Sequence, residues 1–121
     1  MVEPGCKSIL VIDDDHDLLT LVAFLLEGEG YRVLTASDGR EGLARLEEEM
    51  PDLILLDMKM PVMNGWEFAR EYHATYEVRA PVVVLTAAED ARKRAMEVGA
   101  AAWLGKPFDL DALVAMVAKH A

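Results

Sequence analysis

Asp52-Leu53-Ile54-Leu55-Leu56-Asp57-Met58-Lys59-Met60-Pro61-Val62-Met63-Asn64-Gly65 is the stretch on which the fold turns. Four apolar residues end in one carboxylate, Asp57, and a turn-forming segment with Pro61 and Asn64-Gly65 follows at once. A run this short, bounded by Pro51-Asp52 and then by Pro61, reads as a buried strand rather than a helix. Asp57 then stands where the strand leaves its sheet. A carboxylate held there is either a capping group or a chemical one, and the flanking sequence has to distinguish the two.

Upstream, Ile9-Leu10-Val11-Ile12 is a second such run, rich in β-branched residues, and it stops at Asp13-Asp14-Asp15. Leu18, Leu21, Val22, Leu25 and Leu26 then repeat at helical spacing as far as Gly28 and Gly30. Asp15 suits the N-cap of that helix and Asp17 its first turn. Tyr31 to Ala36 reads as the next strand. Asp38 and Glu41 have capping-box spacing, with Leu43, Leu46 and Met50 as the inner face of a second helix.

Downstream, Trp66, Phe68, Ala69 and Tyr72 predict a third helix, and Pro81-Val82-Val83-Val84-Leu85 a strand ending at Thr86. Residues 89–98 predict a fourth helix, closed by Gly99. Ala101-Ala102-Trp103-Leu104 is a weak fifth strand before Gly105-Lys106-Pro107, and Asp109 caps a last helix carrying Leu110, Leu113, Val114 and Val117. Strands that alternate with helices and are apolar throughout belong to a parallel sheet covered on both faces. The expected fold is a single doubly wound α/β domain, (βα)5, with a five-stranded parallel sheet.

With 121 residues the chain is one domain, and 53% apolar residues suffice for a substantial core. A net charge of −10 argues against direct nucleic-acid binding or adhesion to an anionic membrane. Cys6 is the only cysteine, which excludes an internal disulfide and a Cys-rich zinc site. Residues 1–7 read as a lead-in without the layout of a signal peptide, and no apolar run approaches the roughly 20 residues that span a bilayer. The expectation is a cytoplasmic domain with no output domain attached.

In a parallel sheet of this kind every strand ends on one edge, where ligands bind. Strand one delivers Asp13 and Asp14 to that edge, strand three Asp57, strand four Thr86, and Lys106 follows strand five. Taken singly, each has an ordinary reading as a helix cap, a strand-end hydroxyl or a solvated lysine. Together they form a set. Clustered carboxylates raise one another's pKa unless a cation joins them, and an oxygen-only donor set suits Mg²⁺ or Mn²⁺. Such an ion leaves room for a phosphate oxygen, with Lys106 and the Thr86 hydroxyl available to two others. That is a phosphoryl-binding site with a potential carboxylate nucleophile.

At this point the chain resembles the receiver domain of bacterial two-component response regulators over essentially its whole length. The residues that carry the resemblance are 9–15 (Ile-Leu-Val-Ile-Asp-Asp-Asp), 55–65 (Leu-Leu-Asp-Met-Lys-Met-Pro-Val-Met-Asn-Gly), 83–87 (Val-Val-Leu-Thr-Ala) and 105–108 (Gly-Lys-Pro-Phe). The resemblance implies a flavodoxin-like strand order 2-1-3-4-5 and makes Asp57 the phosphoacceptor. Asp13, Asp14 and Asp57 hold the metal with the backbone carbonyl of Lys59, and Thr86 and Lys106 engage the phosphoryl group. The bond from Lys106 to Pro107 is implied to be cis. A sensor histidine kinase or a histidine phosphotransfer protein is the implied donor. The receiver then signals to a downstream protein partner through its fourth helix, fifth strand and fifth helix, as a monomer or a weak phosphorylation-dependent dimer. Such a domain is no enzyme beyond its own phosphoryl transfer and slow self-dephosphorylation.

Some residues depart from the family's usual pattern or stand alone. Trp103 occupies the strand-five position of the aromatic that moves inward with Thr86, where tyrosine is more usual. Lys59 overlooks the site two residues after Asp57, and Ala88, two after Thr86, offers no polar group to orient a hydrolytic water. His16 reads as a solvated first-turn residue. Arg92-Lys93-Arg94 forms a basic patch expected to border Trp103. Two other readings remain: a phosphorylation-independent interaction (pseudo-receiver) domain, and a Mg²⁺-dependent phosphatase with an aspartyl-phosphate intermediate. Against the phosphatase, Asp13-Asp14-Asp15 is followed by His16-Asp17 rather than by the small and hydroxyl residues such enzymes need.

Overall fold

The computed structural model describes residues 6–121, so residues 1–5 of the expected lead-in lie outside the described residues. Five strands, β1 (Ser8–Ile12), β2 (Arg32–Ala36), β3 (Leu53–Asp57), β4 (Val82–Ala87) and β5 (Ala102–Lys106), alternate with five helices. The helices are α1 (His16–Gly28), α2 (Gly39–Glu48), α3 (Gly65–Thr75), α4 (Ala91–Val98) and α5 (Leu110–His120). All strand pairings are parallel, in the order β2-β1-β3-β4-β5, as expected.

Side chains alternate across a strand, and here both directions are buried. Leu10, Ile12, Ile54, Leu56, Val82 and Val84 face one core, closed by Leu46 of α2, Phe68 and Tyr72 of α3, and Ala95 and Val98 of α4. Ile9, Val11, Leu53, Leu55, Val83 and Leu85 face the other, closed by Leu19, Val22 and Leu26 of α1 and by Leu113 and Val117 of α5. The central strands β1 and β3 are buried at every position, which makes the end of β3 a rigid mount for Asp57.

The helix ends match the sequence in part. Asp15 caps α1 by accepting from the Leu18 N–H, Asp109 caps α5, and Gly99 closes α4 in the left-handed conformation. Asp38 caps α2 by accepting from the Glu41 N–H, but Glu41 does not complete the capping box. Its carboxylate reaches past Asp38 to the backbone N–H and hydroxyl of Ser37. A full capping box occurs instead at α3, where Asn64 and Glu67 cap one another, so Asn64 is a helix cap and more than turn punctuation.

Other boundaries shift too. Residues 89 and 90 precede α4 rather than opening it, Gly28 lies inside α1, and β2 begins at Arg32. β5 runs through Gly105 and Lys106, so Lys106 belongs to the strand and does not follow it. Leu21, expected inside, is exposed while Leu19 is buried, and Leu110 is likewise exposed. Among the described residues, no helix is long and apolar enough to cross a membrane.

Candidate functional site

The carboxyl edge of the sheet gathers the site. Asp13 leaves β1 with its N–H donating to the Ala36 carbonyl at the end of β2 (3.0 Å), and its side chain accepts from the Asp15 N–H at 3.0 Å. These two bonds aim the Asp13 carboxylate inward, where it is 1% exposed, while Asp14 beside it stays exposed. Asp57 is the last residue of β3 and is 6% exposed. Carboxylate oxygens of Asp13, Asp14 and Asp57 lie within 4.8 Å of one another. Thr86 is buried on β4, in register with Gly105, and Ala87 is in register with Lys106.

Lys106 completes the cluster. Its Nζ lies 2.6 Å from Asp13 Oδ2 and 3.5 Å from Asp57 Oδ1, so its tighter partner is Asp13. Asp13 is the more deeply buried carboxylate, and a buried charge has the greater need of a cation. The Lys106–Pro107 bond is cis, as the resemblance implied.

The electrostatics follow from this crowding. Burial and then the neighbouring Asp13 carboxylate push the Asp57 carboxyl up to about 6, against the pull of Lys106. Burial works against the Lys106 ammonium, but its hydrogen bond and attraction to Asp13, followed by those to Asp57, hold its pKa above the ordinary lysine value. Three carboxylates and one ammonium leave two negative charges to be balanced. A hard divalent cation matches both that charge and the oxygen donors, so the residues fit Mg²⁺ or Mn²⁺.

The remaining candidates lie around this centre. Lys59 has an exposed side chain on the 58–64 loop, which is closed by the Gly65 N–H donating to the Met58 carbonyl at 2.9 Å. Ala88 packs against Gly105, where an added Cβ would come within 2.4 Å of the Ala88 Cα. His16 is exposed and outside the carboxylate cluster. Trp103 pairs with Val84 on the outermost strand and is 43% exposed.

Within the basic run 92–94, Arg92 and Lys93 are exposed and Arg94 is partly buried. Successive helical residues point about 100° apart, and Arg94 turns toward α3. Its guanidinium stands 5.2 Å over the Trp66 ring and donates to Glu97 Oε1 at 3.0 Å, the same oxygen that accepts from Trp66 Nε1 at 3.0 Å. These bonds from Arg94 and Trp66 hold the Glu97 carboxyl below its usual range. Nothing in the sequence spacing of Trp66, Arg94 and Glu97 announces this cluster, because it joins two helices.

Known proteins share both the sequence and the shape. A family profile described as the response regulator receiver domain matches residues 9–118. The alkaline phosphatase synthesis transcriptional regulatory protein PhoP of Bacillus subtilis is 39% identical over 104 residues, which is 84% of this chain and 43% of that protein. The transcriptional regulatory protein CpxR of Klebsiella pneumoniae is 42% identical over 113 residues, 92% of this chain and 47% of its own. The chain thus spans about half the length of these curated relatives. Among solved structures, the chemotaxis response regulator CheY4 of Vibrio cholerae matches with a TM-score of 0.86 and 34% identity, over 96% of this chain and 99% of that one.

Proposed function

The chain belongs to the response regulator receiver domain family, and from that premise we propose that it takes a phosphoryl group onto Asp57 from a phosphohistidine. The observation that carries this reading is the convergence of Asp13, Asp14 and Asp57 within 4.8 Å, with the Lys106 ammonium on two of them. Asp13, Asp14, Asp57 and the Lys59 carbonyl would hold Mg²⁺ or Mn²⁺. When bound, the ion neutralises charge on the incoming phosphoryl oxygens.

Asp57 carries the chemistry. A carboxylate oxygen attacks phosphorus, the P–N bond of the donor breaks, and its electron pair stays on the imidazole, which takes up a proton. The product is an aspartyl phosphate. Lys106, 3.5 Å from Asp57 Oδ1, is within reach of a phosphoryl oxygen there, and the Thr86 hydroxyl would donate to another. The domain turns over only its own phosphoryl group and acts with a histidine kinase or histidine phosphotransfer protein on one side. On the other it signals to a protein partner through the α4-β5-α5 surface.

The test is direct. Incubated with Mg²⁺ and acetyl phosphate, the protein gains the mass of one phosphoryl group, and Asp57→Asn gains none. No gain in the parent would favour a phosphorylation-independent interaction domain. Continuous turnover of unrelated phosphate esters would favour a phosphatase.

Two further outcomes follow from the same reading. Lys59 has an exposed side chain two residues beyond Asp57, where a cation shields the phosphoryl group from water. An exposed pair contributes about 0.2–1 kcal/mol, so Lys59→Ala shortens the phosphoryl half-life by up to about fivefold. Equal dephosphorylation rates would sink the assignment. Trp103 becomes the sole tryptophan in a Trp66→Phe background, because the chain has two. From its 43% exposure, inward movement on phosphorylation shifts its emission to shorter wavelength. Unchanged emission with full phosphorylation would mean that Trp103 is static.

A further inference from the structure

The 58–64 loop holds an unusual backbone. Val62 has φ +68°, a left-handed conformation that β-branched residues rarely adopt, and its side chain is 73% exposed, so packing does not reward it. It is the centre of a three-residue turn in which the Met63 N–H donates to the Pro61 carbonyl at 2.7 Å. Strain of this kind persists only where the surroundings over-determine it. Two bonds do so here. The Gly65 N–H closes the loop by donating to the Met58 carbonyl at 2.9 Å, and the Gly39 N–H, at the start of α2, donates to the Met63 carbonyl at 2.9 Å.

Gly39 is glycine for a reason of space. A Cβ at that position would stand 2.7 Å from Met63 Cγ and 2.9 Å from the Met63 carbonyl oxygen. The side-chain atom can move aside; the carbonyl belongs to the backbone, and moving it strains its bond to Gly39. The loop between these fixed points includes Lys59, whose carbonyl the proposed metal site uses.

We infer that Gly39 is a positioning residue for the metal: its clasp on the Met63 carbonyl forces the turn at Val62 and thereby sets where the Lys59 carbonyl stands relative to Asp57. The inference rests on the metal reading given above. It places part of the control of ion affinity on α2, on an element that contributes no ligand. An intact clasp holds the loop ready for the ion, and a broken one leaves the ion to order the loop at the expense of affinity.

The test compares the parent, Gly39→Ala, Val62→Asn and the double variant by Mg²⁺ calorimetry and by thermal unfolding without metal. Gly39→Ala lowers Mg²⁺ affinity about tenfold or more, although alanine favours the helix that position 39 opens. Val62→Asn, which tolerates the left-handed region, raises the metal-free melting temperature in the parent and by less than half as much in Gly39→Ala, where the turn is already released. Equal Mg²⁺ affinity in Gly39→Ala and the parent would overturn the inference, as would the same Val62→Asn effect in both backgrounds. A parent that binds no Mg²⁺ would overturn the metal reading itself, and the inference with it.

Discussion

Lys106→Met melts about 10 °C below the parent in the absence of divalent metal, and millimolar Mg²⁺ recovers part of the loss. Removing one partner of a buried ion pair costs about 3–5 kcal/mol, because it strands the other charge. Lys106 is the cation on both Asp13, at 2.6 Å, and Asp57, at 3.5 Å, and its own side chain is 28% exposed. Solvent on the lysine side reduces the loss to about 2–3 kcal/mol, which gives the stated shift for a domain of this size. The deficit narrows in acid as Asp57, with its pKa near 6, takes up a proton. Thermal unfolding at pH 7.5 and pH 5, with and without Mg²⁺, measures all of this. A variant as stable as the parent, or one indifferent to Mg²⁺, would show that the carboxylates do not depend on a cation.

Asp57→Asn has the opposite sign: it stabilises the metal-free protein at neutral pH. The folded chain raises the Asp57 carboxyl from 3.8 to about 6, through burial and the Asp13 charge. The folded state therefore holds this proton more tightly than the unfolded chain does. The stabilising contribution is fully present below about pH 4 and is lost as pH rises through 6. Two pKa units correspond to about 3 kcal/mol, and water screening at the mouth of the site leaves about 1–2 kcal/mol, or roughly 5 °C. The melting temperatures of variant and parent coincide near pH 4, diverge up to pH 6 and run parallel above it. With Mg²⁺ present the parent closes the gap, because the ion binds the charged carboxylate. A variant less stable than the parent at pH 8 without metal would contradict this.

The apolar runs at residues 9–12, 53–56 and 82–85 exposed the fold in the sequence, because central parallel strands are buried on both faces and must be apolar throughout. The edge was harder to read. β5 carries Gly105 and Lys106 within the strand, since an edge strand has to satisfy only one neighbour and a partly solvated face. Helix α1 was ambiguous in its facing: Leu18, Leu19, Leu21, Val22, Phe24, Leu25 and Leu26 surround it with apolar residues, so periodicity alone could not choose Leu19 over Leu21.

The meeting of Asp13, Asp14, Asp57 and Lys106 was legible because parallel strand ends bring chain-distant residues to one edge. The hold of Lys106 on Asp13 was not, since strand-end position says nothing of which carboxylate is more deeply buried. The Asn64–Glu67 capping box had a readable three-residue spacing that the turn reading of Asn64-Gly65 obscured. Gly39 gave no signal at all. Its requirement comes from the Met63 carbonyl, which is distant in sequence and close only in space.

On the function proposed for this site, Asp57 among the three clustered carboxylates forms the bond to phosphorus. Borohydride reduces an aspartyl phosphate to homoserine, so treating the phosphorylated protein with borohydride and sequencing its peptides by mass spectrometry locates the acceptor. Homoserine at position 57, and at neither 13 nor 14, is the predicted result. Homoserine at Asp13 or Asp14, or a phosphoryl group that survives on a hydroxyl or imidazole side chain, would contradict it.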